Sequence, residues 1–173
     1  TLRARHEFDT MGASASFREI LATTSLVWAL RVMPAVFEKM GIRFLFPDNW
    51  TLDESEMLEG NNTVSVYSPG GAFWSVTLHP PGVDPAQLVA TAVAAMRQIY
   101  DALDEEPADE RFAGREMVGR EMNFYCLDLT NTAIARSFGT PDGTYLVFCQ
   151  ADDRELEQVA PVFEAITRSL ATQ

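Results

Sequence analysis

"GREMNFYCLDLTNTAIARSFGTPDGTYLVFCQ", residues 119–150, runs through three stretches of alternating apolar and polar side chains separated by two corners. Period-two alternation over runs of this length is the pattern of strands with two different faces. The expected strands span about 116–128, 132–139 and 144–150. Asn131 is expected at the first corner and Gly139-Thr140-Pro141-Asp142-Gly143 at the second, residue types that turn the chain through their own local bonding and backbone freedom. Loops this short join antiparallel neighbours, because a parallel return needs a long crossover. The chain therefore carries a meander rather than the strand–helix alternation of a nucleotide-binding parallel sheet.

Upstream, the same rhythm recurs. Residues 41–46 alternate Ile42, Phe44 and Phe46 and then run into Pro47-Asp48-Asn49-Trp50. Residues 62–68 and 72–79 read as a hairpin around Pro69-Gly70-Gly71. Asp84-Pro85 opens a helix to about residue 102, with Asp84 as cap and Pro85 where a missing N–H costs nothing. Leu88, Ala92, Met96, Ile99 and Leu103 are its expected inward stripe, and the acidic run 104–110 is a loop or the start of a strand. Downstream of the meander, Asp152 or Asp153 starts a last helix with Val159, Val162, Phe163, Ile166 and Leu170 on one face. Pro161 predicts a break near Gln158. The fold class is α+β, an antiparallel sheet covered by helices.

The first forty residues differ in character. Residues 1–15 have no periodicity, and disorder is expected there. Ser16 and Glu19 then have capping-box spacing, followed by Phe17, Ile20, Leu21, Val27, Trp28, Val32 and Val36 at helical intervals. One helix is expected over 17–33, stopped near Pro34, with Glu38-Lys39-Met40 as a short linker. It is apolar nearly all round, which demands burial or a partner. The expected division is an N-terminal tail and apolar helix, 1–40, followed by an α+β domain, 41–173.

Composition narrows the functional classes. The 173 residues are 47% hydrophobic and carry a net charge of −12. Residues 1–40 hold five basic and four acidic side chains, leaving eight against twenty-one for the rest. A body that acidic repels phosphate, so nucleic acid and anionic membrane are not expected partners. The chain contains no apolar run long enough to span a bilayer; 24–37 comes nearest, and Arg31 and Pro34 interrupt it. It opens on Thr1, so a processed start is expected, with Met11 a candidate initiator. Cys126 and Cys149 lie on meander strands separated by a third, about 9–10 Å apart across the sheet, too far for a disulfide. Both thiols are expected free, in a reducing cytoplasm.

No catalytic motif is present. Gly114 and Gly119 have phosphate-loop spacing, but Arg120-Glu121 follows in place of the required lysine and hydroxyl. "GREMVGREM", 114–122, repeats at a five-residue shift, which sends the two copies to opposite strand faces. His79 precedes Pro80-Pro81 within reach of Asp84, with capping weighed above catalysis because no nucleophile accompanies it. His79 with two strand-borne cysteines is a poor start for zinc, and no metal or cofactor is expected. Asn49-Trp50-Thr51 and Asn61-Asn62-Thr63 match the glycosylation pattern by chance as easily as by design.

The order "RFLFPDNW", "SVYSPGGAFWSVTL", one helix, the "GREMNFYCLDLT…AIARSFGTPDGTYLVFCQ" meander and a closing "PVFEAITRSL" helix resembles the PsbP-like superfamily, including its bacterial DcrB-like and LpqN-like branches. The resemblance covers about 41–171 and matches Pro47, Trp50 and Ser169 to positions common there. It implies a structural role for Trp50, sealing one end of the sheet, and a protein-binding function, since members of that superfamily are largely non-catalytic. It supplies no functional residue. Three readings follow. The first is a non-enzymatic binding or adaptor module. The second is a chaperone-like holder of a partner's apolar segment on the sheet or in a helix groove. The third is a small-ligand pocket or weak hydrolase around Trp50, Trp74, His79 and neighbouring acids. Phe17, Ile20, Leu21, Val27 and Trp28 are the candidate partner-binding side chains, with a homodimer as one outcome.

Overall fold

The computed structural model describes residues 34–112 and 114–172. The helix expected over 17–33, with Phe17, Ile20, Leu21, Val27 and Trp28, lies outside the described residues.

Strands β1 (Pro34–Lys39) and β2 (Ile42–Pro47) form an antiparallel hairpin of their own. Residues 34–39 are thus strand, where the sequence suggested a helix end and a linker. The cause is the tight corner at Met40-Gly41, both at positive φ (49° and 79°), which folds β1 straight back onto β2. Phe37 then stacks on Phe44 at 5.2 Å, and both are buried.

A larger antiparallel sheet follows. It contains β3 (Thr51–Asp53), β4 (Thr63–Tyr67), β5 (Phe73–His79), β6 (Leu103–Pro107), β7 (Glu110–Phe112), β8 (Arg115–Cys126), β9 (Leu129–Gly139) and β10 (Thr144–Asp152). Strand order is β3-β4-β5-β10-β9-β8-β6, with β7 also on β8. Among the described residues three helices accompany it: the one-turn α1 (Ser55–Leu58), α2 (Pro85–Ile99) and α3 (Asp153–Ala171).

The expected meander is β8-β9-β10, but its first corner is Leu127-Asp128, both at positive φ, and Asn131 is a buried residue inside β9. The cysteines lie on β8 and β10 with β9 between, and both are free. Their separation exceeds the expectation. Cys149 aligns with Ile134 and, through it, Glu121, so Cys126 stands five residues further along. That offset adds about 17 Å along the strand.

The two faces of the sheet carry different cores. Val64, Val66, Trp74, Val76, Tyr145, Val147 and Cys149 point to the face covered by the β1–β2 hairpin and α3. Phe44 meets Trp74 at 4.8 Å, and the Tyr145 hydroxyl donates to the Gly41 carbonyl at 2.8 Å. The Leu45 N–H donates to Ser169 Oγ at 2.9 Å, pinning the hairpin to the end of α3. Met122, Phe124, Ala133 and Ala135 point to the other face, under α2.

Both long helices begin as read: Asp84 accepts from Ala86 N–H, and Asp152 accepts from the N–H groups of Arg154 and Glu155. The stripe of α2 is Val89, Val93 and Met96, rotated from the expected one, and Ile99 is 69% exposed. The helix stops at Ile99 because Tyr100 turns extended to stack on Phe124, and Leu103 already belongs to β6. Pro161 does not break α3. It sits on the solvent side while Val159, Phe163, Ile166 and Leu170 are buried on both sides of it, so packing outweighs the lost ladder bond.

Candidate functional site

Trp50, Trp74 and His79, the named side chains of the pocket reading, do not converge. Trp50 is 8% exposed; its backbone N–H donates to the Pro47 carbonyl at 3.0 Å, and its ring meets Phe163 edge-on at 6.0 Å. The "PDNW" corner is therefore a tight turn that drops an aromatic onto α3 and seals the core. Trp74 is fully buried, its Nε1–H donating to Thr167 Oγ1 at 2.9 Å. The Thr167 hydroxyl in turn donates to the Phe163 carbonyl at 2.8 Å, so this polar pair is satisfied inside the core.

His79 lies five residues beyond Trp74 on β5, which places it on the opposite face, across from Thr144. Its Nε2 is buried without a hydrogen-bond partner among the described residues, and the Asp84 carboxylate is occupied at its own helix. Burial pushes the Cys149 thiol up to about 12, so at neutral pH it is a small apolar filler and not a nucleophile. Cys126 accepts a hydrogen bond from the Tyr100 hydroxyl at 3.7 Å. Among the described residues no three His, Cys, Asp or Glu side chains gather as a metal site would require. Asn49 and Asn61, the acceptors of the two glycosylation patterns, are both exposed.

Among the described residues, half of one sheet face carries no helix. Helix α2 lies over β8, β9 and part of β10, and among the described residues no helix lies over the same face of β4 and β5. Tyr67, Phe73 and Phe148 stand there in a row, with ring centroids 5.8 Å and 5.9 Å apart. Tyr67 is 38% exposed, and Phe73 and Phe148 are half-buried, Phe148 packing with its inner side against the core under α2. Around them, the Thr63 and Thr77 hydroxyls bond each other at 2.9 Å, and the Ser75 hydroxyl donates to the Phe148 carbonyl at 3.2 Å. Hydroxyls already satisfied within the sheet can be covered without stranding a donor. The strip from β4 to β10 is about 10 Å wide between outer strand axes, close to the ~10–12 Å diameter of one helix.

This face was not singled out from the sequence. Its signal was there in "SVYSPGGAFWSVTL", where Tyr67 and Phe73 alternate with the core residues Val66 and Trp74 on the opposite parity. Aromatics on both parities of one hairpin mean two apolar faces, and a single-sided sheet needs only one. By contrast, the odd shift of the Gly-Arg-Glu-Met repeat reads correctly: Arg115 lies over the Phe138 ring on the α3 face, whereas Arg120 is on the α2 face.

No family model and no curated protein matches the sequence. Solved structures do match. The solution structure of cyanobacterial PsbP from Synechocystis sp. PCC 6803 aligns over 80% of this chain and 90% of that one, at 16% identity and a TM-score of 0.55. A crystal structure from Bacteroides thetaiotaomicron aligns over 78% of this chain and 46% of that one, at 10% identity and a TM-score of 0.55. LpqN of Mycobacterium tuberculosis, described as involved in cell envelope biogenesis, aligns over 83% and 92% at 12% identity, with a TM-score of 0.46. The PsbP-like resemblance read from the element order therefore holds at the level of fold.

Proposed function

We propose that this chain is a non-enzymatic protein-binding module whose open half-sheet receives an apolar helical segment of a partner. The observation that carries the reading is the row Tyr67, Phe73 and Phe148 on a helix-wide strip with its hydroxyls already satisfied. Aromatic side chains contribute large contact area at low entropic cost, which is why they anchor interfaces. The scattering of Trp50, Trp74 and His79 speaks against the hydrolase alternative. Phe17, Ile20, Leu21, Val27 and Trp28 remain our proposed second binding element, acting on a further copy or another protein, and the two free thiols support a reducing cytoplasm as the compartment.

The test is an affinity capture from the native host with the wild-type chain and with Ser75→Lys, which puts a charge at the centre of the strip. A partner lost from the variant while its unfolding curve stays cooperative supports the proposal. A partner recovered equally by both sinks it. Removing residues 1–33 and measuring mass in solution tests the second element: unchanged assembly would show that this segment is not part of it.

A further inference from the structure

A second opening lies on the far side of α2, away from the open half-sheet. It is a groove of about 370 Å3 between α2 and the β8–β6 edge. Val89 and Val93 of the helix and Val118 of β8 make its apolar base, and Ala86, Ala90 and Ala94 form a low wall at successive four-residue intervals along α2. At that spacing the three alanines share one helix face and leave room for a ligand beside it. Arg97 from α2 and Arg120 from β8 complete the lining, with Glu105 of β6. Apolar walls with a few convergent polar groups, at the lower end of the ~300–1,000 Å3 range, are the character of a small-molecule site.

The two arginines hold their present partners loosely. Arg97 meets Glu105 at 3.5 Å and Arg120 meets Asp109 at 3.8 Å, both beyond good hydrogen-bonding distance. One Arg120 N–H donates to the Gly119 carbonyl at 2.8 Å, which fixes the guanidinium and leaves further donors. Loose pairs at exposed side chains hold little free energy, so an incoming anion displaces them at low cost. Two guanidiniums beside an apolar base are an unusual placement in a chain of net charge −12. The charged lining, Arg97 and Arg120 against Glu105, carries one net positive charge, which a single carboxylate neutralises and a phosphate dianion would exceed.

We propose that this groove binds a small amphiphilic carboxylate, its apolar body along Val89, Val93, Val118 and the alanine wall and its carboxylate between Arg97 and Arg120. Guanidinium forks match the two oxygens of a carboxylate, and the apolar base accounts for an attached hydrocarbon. The proposal is independent of the open half-sheet and stands or falls separately from it.

Sodium octanoate is the probe, titrated into the full chain while backbone amide shifts are followed by NMR, with acetate and octanol as controls lacking the tail or the charge. Saturable shifts clustered over 86–97 and 118–120 are expected, with both controls weaker by at least about tenfold. Arg97→Gln and Arg120→Gln should each weaken octanoate by a similar factor. Ala90→Trp, at an exposed helix position, should abolish the shifts while leaving the fold intact. Absence of saturable shifts up to the solubility limit would overturn the proposal, as would equal binding of octanol or undiminished binding to Ala90→Trp.

Discussion

Phe44→Ala tests whether the β1–β2 hairpin is part of the core or only an appendage. Phe44 is fully buried and touches three rings: Phe37 at 5.2 Å, Phe46 at 5.8 Å and Trp74 at 4.8 Å. Two of these belong to the hairpin and the third to the main sheet, so the truncation leaves a void between the two. Buried Phe→Ala changes cost about 3–5 kcal/mol when the surroundings relax only partly. Hairpin and sheet are tied at Leu45–Ser169 and Tyr145–Gly41, which limits that relaxation and places the cost towards the upper part of the range. A domain of this size has about 5–15 kcal/mol in total, so the variant should lose a large share of it. Urea unfolding followed by tryptophan fluorescence reads the loss as a shifted midpoint at unchanged slope. Val36→Ala on the outer side of the same hairpin, 55% exposed, should change stability by less than about 0.5 kcal/mol. If Phe44→Ala costs under about 1 kcal/mol, the hairpin does not pack on the sheet as described.

Other outcomes follow from single contacts. The half-buried Glu155 carboxylate accepts from the Ser68 hydroxyl at 2.6 Å and from Ala72 N–H at 3.2 Å, clamping the β4–β5 turn to α3; Glu155→Ala should cost about 1–3 kcal/mol by urea unfolding. Gly70→Ala should also destabilise, because its Cβ would meet that carboxylate. The Arg154 side chain, helped by the N–H groups of Glu155 and Arg154, holds Asp152 below the usual carboxylate range. Its folded value is depressed, so its contribution is present above the ordinary range near ~3.9 and is lost as pH falls through the folded value. Asp152→Asn should accordingly flatten the acid limb of a stability–pH curve without altering the neutral plateau's slope. Leu127, 92% exposed at φ 51°, and Asp128 at φ 62° occupy left-handed positions that Asn and Gly adopt more cheaply. The pair Leu127→Asn with Asp128→Gly should stabilise by about 1 kcal/mol, seen as a raised Tm.

The parts of the fold that could be read from residue order are those where one rule acts alone. Asp84-Pro85 and Asp152 start helices because capping and proline chemistry are local, and they do so in the structure. The strands of the meander are legible because they run for 12, 11 and 9 residues, long enough for their period-two pattern to show. Errors occur where tertiary contacts outweigh a local preference. Pro161 stays inside α3 because buried side chains flank it on either side, and β1 forms where apolar residues suggested a helix end because Phe37 finds Phe44. The first corner does not show in the residue types, because Leu127 carries no turn signal, whereas Asn131 carries one and is used inside β9. The candidate sites were less legible. The open strip depends on which half of a face α2 covers, and the groove depends on Arg97 and Arg120 lining one opening although 22 residues separate them in sequence. Neither placement is encoded in a short pattern.

Photo-crosslinking from the open strip tests the central claim most directly. A photoreactive phenylalanine analogue at Tyr67, incorporated in the native host, probes the strip, and the same analogue at the exposed Arg43 probes the outer side of the hairpin. The account predicts a discrete adduct from position 67, mapping to an apolar helical segment of one protein, and no such adduct from position 43. No adduct from 67, or the same adducts from both positions, would contradict it.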